Sequence, residues 1–224
     1  MIRIKDGMSD MENFSKVVFC DFDGTITSIE TFVGMFKALV PELYEEIGGK
    51  MRNLEVTIRE GVREIVDSMP SSRYPEMLAY VRDKTIRPGF VDLLDYLDQR
   101  DVPMVVISGG LVGMVRERLG PLAERVHAIH AADVDTTGEY LSVWSDFEEG
   151  SELVAKARIM ELYPAEEKVA IGDGPTDLNM AQHATTVFAR GMLAQFLDGM
   201  EIKYHLWEDF FDVKKRLQHL WDEN

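Results

Sequence analysis

The sequence predicts an α/β fold: a parallel sheet with helices on both faces, broken by an all-helical insert. Three observations carry this. Short apolar runs at residues 17–20, 104–107 and 169–172 each stop abruptly in acids, a hydroxyl or glycine, as strands buried on both faces do where they reach a sheet edge. Beyond about residue 88, strand and helix patterns alternate, which implies parallel strands joined by crossover helices. Between about residues 30 and 84 the apolar spacing is helical throughout, with no strand pattern.

Taken in order, residues 1–13 are polar and aperiodic and read as a loose arm. A first strand covers about 16–20. Phe32, Met35, Phe36, Leu39 and Leu43 then follow i, i+3, i+4 spacing, and Gly48-Gly49 is expected to break that helix. Ile58, Val62, Ile65, Val66 and Met69 form a second stripe, stopped by Pro70. Ser71-Ser72 is expected to cap a third helix at about 73–84. After Arg87-Pro88-Gly89 the spacing predicts a helix over 89–100, a strand over 102–107, a helix over 111–119 and a strand over 126–130. Residues 133–147 read as a hairpin turning at Thr137-Gly138. A helix over 151–163, a strand over 168–172 and another over 185–189 follow. In the tail, Phe210, Val213, Leu217 and Leu220 share one face of a helix expected to pack on the sheet.

The chain has 224 residues, 46% hydrophobic and 29% charged, enough for a large core or a core with an insert. No apolar run approaches the ~18 residues that a membrane span needs, and the first residues lack a signal-peptide core. The single cysteine, Cys20, rules out an internal disulfide and fits a cytoplasmic protein. A net charge of -16 argues against nucleic acid, whose phosphates demand a basic surface. An anionic substrate would need local cations, for which a metal ion, Lys156 and Arg59 are the candidates. The five histidines show no metal-ligand spacing.

The chemistry concentrates at strand ends. Asp21 and Asp23, one residue apart in DFDGT, repel each other and call for a cation; Mg²⁺ is the common answer for oxygen ligands beside a phosphate. Ser108 and Gly109 close the second strand, Lys156 lies in a helical segment, and GDGPTD places Asp173 and Asp177 after a third strand. Asp21 is the natural nucleophile, since a carboxylate can attack phosphorus and form an aspartyl-phosphate. Asp23 is placed to protonate the leaving oxygen and later to activate water. Asp21, the backbone carbonyl of Asp23, and Asp173 would hold the Mg²⁺. Ser108 and the Gly109 N–H would donate to phosphoryl oxygens beside Thr25, and Lys156 adds a point charge.

In chain order, DFDGT, Ser108, Lys156 and GDGPTD resemble the four motifs of the haloacid dehalogenase superfamily, over about residues 16–190. The resemblance implies a Rossmann-like core at 1–32 and 88–224 and an inserted α-helical cap at 33–87. It also implies Asp177 as a further metal ligand or partner, and a small phosphorylated metabolite as substrate. Two branches look alike here. Glu30 and Arg59 match positions where phosphoserine phosphatases hold the amino acid's ammonium and carboxylate. The segments DFDGTIT, IREGV with MPSS, IRPGF, VISGG, VFAR and WEDFFDV resemble instead the methionine-salvage phosphatases of 2-hydroxy-3-keto-5-methylthiopentenyl-1-phosphate, and this branch is favoured. One departure is SDFEEGSELVAK, where some of that branch carry a cysteine-rich stretch. Signalling receiver domains use similar residues as stable phosphoacceptors, but they are about half this length and lack an acid two residues beyond the acceptor. A non-hydrolytic binding protein would have no need of so complete a set.

Overall fold

The computed structural model describes residues 13–222; all but the last residue of the expected arm at 1–13 lies outside them. In chain order the elements are β1 (Phe14–Asp21), α1 (Thr31–Leu39), α2 (Pro41–Arg52), α3 (Ile58–Asp67), α4 (Tyr74–Arg82), α5 (Phe90–Asp98), β2 (Met104–Leu111), α6 (Val112–Leu119), β3 (Ala128–Asp135), β4 (Ser142–Trp144), α7 (Lys156–Glu161), β5 (Ala165–Gly172), α8 (Leu178–Gln182), β6 (Thr186–Ala189), α9 (Gly191–Gly199), β7 (His205–Leu206) and α10 (Phe210–Asp222).

The strands form one seven-stranded sheet in the order β4-β3-β2-β1-β5-β6-β7. Every neighbouring pair is parallel except β3 with β4. β1 lies at the centre, and Val17, Val18, Phe19 and Cys20 are fully buried there. Burying an apolar side chain of that size stabilises by roughly 1.5–3 kcal/mol, which is why a run of four apolar residues marks the middle strand. The chain leaves β1 for β2 on one side and later returns as β5 on the other. That reversal is the switch point where open α/β sheets bind ligands. Asp21 pairs in register with Ile107, and Cys20 with Ile171, so the ends of β1, β2 and β5 converge on one edge.

Helices α1–α4 stand between β1 and β2 as the insert. The chain enters and leaves it through two adjacent extended segments, joined by a bridge between Thr27 and Ile86 and by the Ser28 N–H donating to the Thr85 carbonyl (2.9 Å). The first helix breaks at Val40-Pro41, and α2 runs straight through Gly48-Gly49. A proline at the first helical position supplies no N–H and disfavours helical geometry in the residue before it, which outweighs glycine's flexibility. Helix α3 opens with a reciprocal cap in which the Glu60 N–H donates to Thr57 Oγ1 (3.1 Å) and the Thr57 N–H to Glu60 Oε2 (2.8 Å). Ser71 and Ser72 form part of a short 3-10 turn before α4 and supply no side-chain cap.

The hairpin sits against the insert. The Val143 N–H donates to Asp67 Oδ1 (2.9 Å), the Leu141 N–H to the Met69 carbonyl (2.9 Å) and the Ser71 N–H to the Glu139 carbonyl (2.9 Å). Arg63 pairs with Glu148 at 2.5 Å. Downstream, the expected helix at 151–163 is shorter and begins at Lys156, because residues 149–152 close a tight turn on themselves through paired Glu149 and Glu152 backbone groups. No helix among the described residues is long and apolar enough to cross a membrane.

Candidate active site

Asp21 ends β1, Asp173 and Asp177 follow β5, and Lys156 opens α7 beneath them. Three of these four are almost wholly buried: Asp21 is 4% exposed, Lys156 1% and Asp177 1%. Lys156 Nζ donates to Asp21 Oδ1 (2.5 Å) and to Asp177 Oδ1 (2.6 Å). The other Asp177 oxygen accepts from the backbone N–H groups of Asp173 and Gly174, both at 2.9 Å. Asp173 Oδ1 accepts from the Thr25 hydroxyl (2.7 Å). Each carboxylate is thus aimed by a partner from a different element.

Asp21, Asp173 and Asp177 each offer an oxygen within 4.8 Å of the others. Three carboxylates against one ammonium leave two negative charges without a counter-charge in a buried cluster. Burial, then the Asp177 carboxylate, push Asp21 well above the usual carboxylate range despite Lys156. Burial raises Asp173 as well. Burial alone would lower Lys156, but Asp177 and Asp21 outweigh it and hold the ammonium firmly protonated. This charge deficit and the all-oxygen donor set fit a divalent cation such as Mg²⁺.

Asp23 stands apart from that cluster. Its Oδ1 accepts from the N–H groups of Thr31 (2.8 Å) and Phe32 (3.2 Å), and from the Thr31 hydroxyl. The start of α1 therefore holds one oxygen of Asp23. The other, Oδ2, faces Gly110, where a β-carbon would approach it to 3.3 Å. Burial raises Asp23 above its ordinary range, opposed by the bonds from Thr31 and Phe32. Between Asp21 and Asp23 and the insert, the chain turns on Gly24, whose φ of 77° few other residues adopt and whose missing side chain leaves room for Asp173 Oδ2.

A cavity of about 460 Å³ lies over these groups. Its floor includes Asp21, Asp23, Gly109, Gly110 and Asp177, and the insert contributes Phe32, Val33, Phe36, Met51, Ile58 and Val62 to its walls. Gly109 is open to it, whereas Ser108 is buried, its Oγ accepting from the Gly110 N–H (3.0 Å). Glu30 lines the rim. It keeps solvent contact there, yet the surrounding protein and then Asp23, Asp173 and Asp177 push its carboxyl up to about 7.

Besides the buried Ser108, two expected substrate-binding residues do not face the cavity. Thr25 is fully buried and its hydroxyl is engaged by Asp173, so it positions that acid and does not face the cavity. Arg59 leans to the segment just after the hairpin, 4.0 Å from Glu148, and the wall on its helix is made by Ile58 and Val62. Met51 and Tyr44 of α2 and the Thr31 anchor of Asp23 were missed by the sequence reading. Thr31 carried a signal, being a capping-type residue at the head of the Phe32 stripe.

Residues 18–182 match the family model of the haloacid dehalogenase-like hydrolases. The 2-hydroxy-3-keto-5-methylthiopentenyl-1-phosphate phosphatase of Microcystis aeruginosa (strain NIES-843 / IAM M-2473) is 45% identical over 206 residues, covering 91% of this chain and 98% of its own. The enzyme of the same name from Bacillus cytotoxicus is 30% identical over 211 residues, covering 91% and 96%. Among solved structures, a phosphoserine phosphatase from T. onnurineus in complex with NDSB-201 superposes with a TM-score of 0.69 at 20% identity, over 95% of this chain and 98% of that one. A substrate-bound phosphoserine phosphatase gives 0.67 at 18%, over 92% and 98%. At that level of identity the two structures bear on the fold alone.

Proposed function

The chain belongs to the haloacid dehalogenase-like hydrolases, and we propose that within this family it hydrolyses 2-hydroxy-3-keto-5-methylthiopentenyl-1-phosphate. It is a phosphatase of that family. The observation that carries the substrate assignment is the apolar wall above the carboxylates. Phe32, Val33, Phe36, Met51, Ile58 and Val62 suit a thioether tail, while the insert's two nearby cations are paired elsewhere, Arg59 with Glu148 at 4.0 Å and Arg52, which also lines the cavity, with Glu45 at 3.1 Å. Met35, which the helical spacing placed beside Phe32 and Phe36, is fully buried and does not line the cavity.

The chemistry then divides among residues already placed. An Asp21 oxygen attacks phosphorus; the bond from phosphorus to the C1 oxygen breaks as Asp23 delivers its proton there, and an aspartyl-phosphate results. Water next attacks that phosphorus, gives its proton to Asp23, and releases phosphate with Asp21 restored. Asp23 suits both steps: its carboxyl is raised, and one oxygen is anchored so that the other faces the cavity. Lys156 orients Asp21 through the 2.5 Å contact, and the open Gly109 N–H is the donor for the phosphoryl oxygens, with Ser108 behind it. Asp21 and Asp173, with Asp177 beside them, would hold Mg²⁺, which when bound supplies the charge that ionises Asp21 and neutralises the phosphoryl oxygens. The single, buried Cys20 suits a reducing compartment, so we assign the enzyme to the cytoplasm.

Steady-state hydrolysis with Mg²⁺ tests the assignment. The enol-phosphate should be turned over far more efficiently than L-phosphoserine. Equal or better turnover of L-phosphoserine, lost in Arg59→Ala, would reverse it.

A further inference from the structure

Arg87 follows the bridge between Thr27 and Ile86 where the chain leaves α1–α4, and it is 8% exposed. Its backbone N–H donates to the Ile26 carbonyl (2.8 Å). All four of its side-chain hydrogen bonds run to main-chain carbonyls: Nε to Thr25 (2.9 Å), Nη2 to Gly24 and to Thr27 (3.5 Å), and Nη1 to Glu208 (3.3 Å). Three of the four acceptors belong to the turn that follows Asp21 and Asp23. The same guanidinium lies 5.3 Å from the centre of the Trp207 ring, which is 2% exposed and has Arg190 at 5.4 Å. Thr25 is therefore fixed twice, its hydroxyl on Asp173 and its carbonyl on Arg87.

We propose that Arg87 is a positioning residue for phosphoryl transfer, holding the 24–27 backbone so that Asp21 and Asp23 keep their aim and seating that turn on the C-terminal segment through Trp207 and Glu208. Only a planar fork can serve several fixed carbonyls at once; a lysine ammonium keeps the charge without the geometry. The C-terminal segment becomes part of the machinery by this route. It is tied to Arg87's neighbour as well, since the Phe210 N–H donates to the Pro88 carbonyl (2.9 Å) and the Phe210 ring lies tilted against Trp207, centres 5.3 Å apart.

The proposal rests on Asp21 as nucleophile, so the experiment includes Asp21→Asn. The full chain and its Arg87→Lys, Arg87→Ala and Trp207→Leu variants are assayed on p-nitrophenyl phosphate, with circular dichroism at the assay temperature and calorimetric Mg²⁺ titration. Misplacement of reacting groups by about 1 Å costs roughly 10²-fold. Arg87→Lys should lose about that much kcat with KM nearly unchanged and bind Mg²⁺ more weakly. Millimolar methylguanidinium should restore part of the kcat of Arg87→Ala. Trp207→Leu, which leaves Arg87 in place, should show a smaller loss with the same split. Wild-type kcat in folded Arg87→Lys or folded Trp207→Leu would overturn the proposal. So would a loss that only follows the unfolded fraction, without a change in Mg²⁺ affinity or guanidinium rescue. Activity in Asp21→Asn would instead overturn the nucleophile assignment.

Discussion

Asp23 shows how much a single residue's role depends on what holds it. With one oxygen fixed by the start of α1 and the other facing Gly110, it is a proton carrier with one working side. Loss of a general acid typically costs 10²–10⁴-fold, and less when the leaving group is already a good one. Asp23→Asn should therefore lose about 10²–10⁴-fold in kcat/KM on an alkyl phosphate and clearly less on p-nitrophenyl phosphate. Equal losses on both would mean that Asp23 does not protonate the leaving oxygen. Glu30 gives the pH signature. Below about 7 its carboxyl is neutral, and above that value it adds a negative charge at the rim where an anionic substrate enters. KM should rise more steeply with pH in the wild type than in Glu30→Gln, as measured by initial rates across pH 6–8.5; identical profiles would show that Glu30 does not contribute. Asp21 and Asp173 were legible in the sequence because each stands where a buried apolar run stops, whereas Lys156 and Asp177 were legible through the order of the four motifs, each weak alone. The places of Arg59 and Thr25 were not, since a cation on a helix or a hydroxyl in a turn takes its partner from chain more than eighty residues away.

The elements divide the work. Strand ends present the acids, and the insert supplies the apolar wall. The hairpin holds the insert by its α3 side through Asp67, Met69 and Ser71. That seam ties the α3 side of the insert to the core, while α1 and α2 wall the cavity. Asp67→Ala removes a charged acceptor from the Val143 N–H, and such bonds contribute roughly 1.5–3 kcal/mol. Hydrogen exchange should quicken at residues 139–145 and 66–72 while exchange in β1 and β5 stays slow. Unchanged exchange in the hairpin would show that the seam is held by its other bonds. Boundaries were the weakest part of the sequence reading here. The Gly48-Gly49 pair looked like a break, yet Pro41 made it; β7, two residues long, is too short to leave a pattern, and α9 was left out although Leu193, Ala194 and Leu197 face inward at helical spacing. Helix periods in the insert were read correctly because Phe32, Phe36, Ile65 and Val66 do pack inward.

For the whole molecule, a net charge of -16 must still admit a phosphate. The answer is local: one buried ammonium at the floor, and a carboxylate cluster whose two uncompensated charges fit a dication. The carboxyls of Asp21 and Asp173 are raised in the folded chain, so without metal the fold binds more protons than the unfolded chain does. Stability of the metal-free protein should then fall as pH rises above the ordinary carboxylate range, and Mg²⁺ should return it. The rise in Tm on adding Mg²⁺ should be larger at pH 8 than at pH 5, be abolished by EDTA and shrink in Asp173→Ala. A Tm indifferent to metal at both pH values would refute the cation assignment.

The bridge between Thr27 and Ile86 has a consequence for the history of such a chain. Paired strands lie about 4.8 Å apart, so the segments that lead into and out of α1–α4 stand one strand spacing from each other. A tight turn of a few residues would close that gap, and the sheet, Asp21, Lys156 and Asp173 would keep their connections without the insert. The covalent path between the sheet and α1–α4 therefore runs through one strand pair, and the other ties, at the hairpin and at Asp23, are hydrogen bonds. A lineage could exchange the wall that α2 and α3 build, but only by keeping the first turn of α1, where Thr31 and Phe32 hold Asp23.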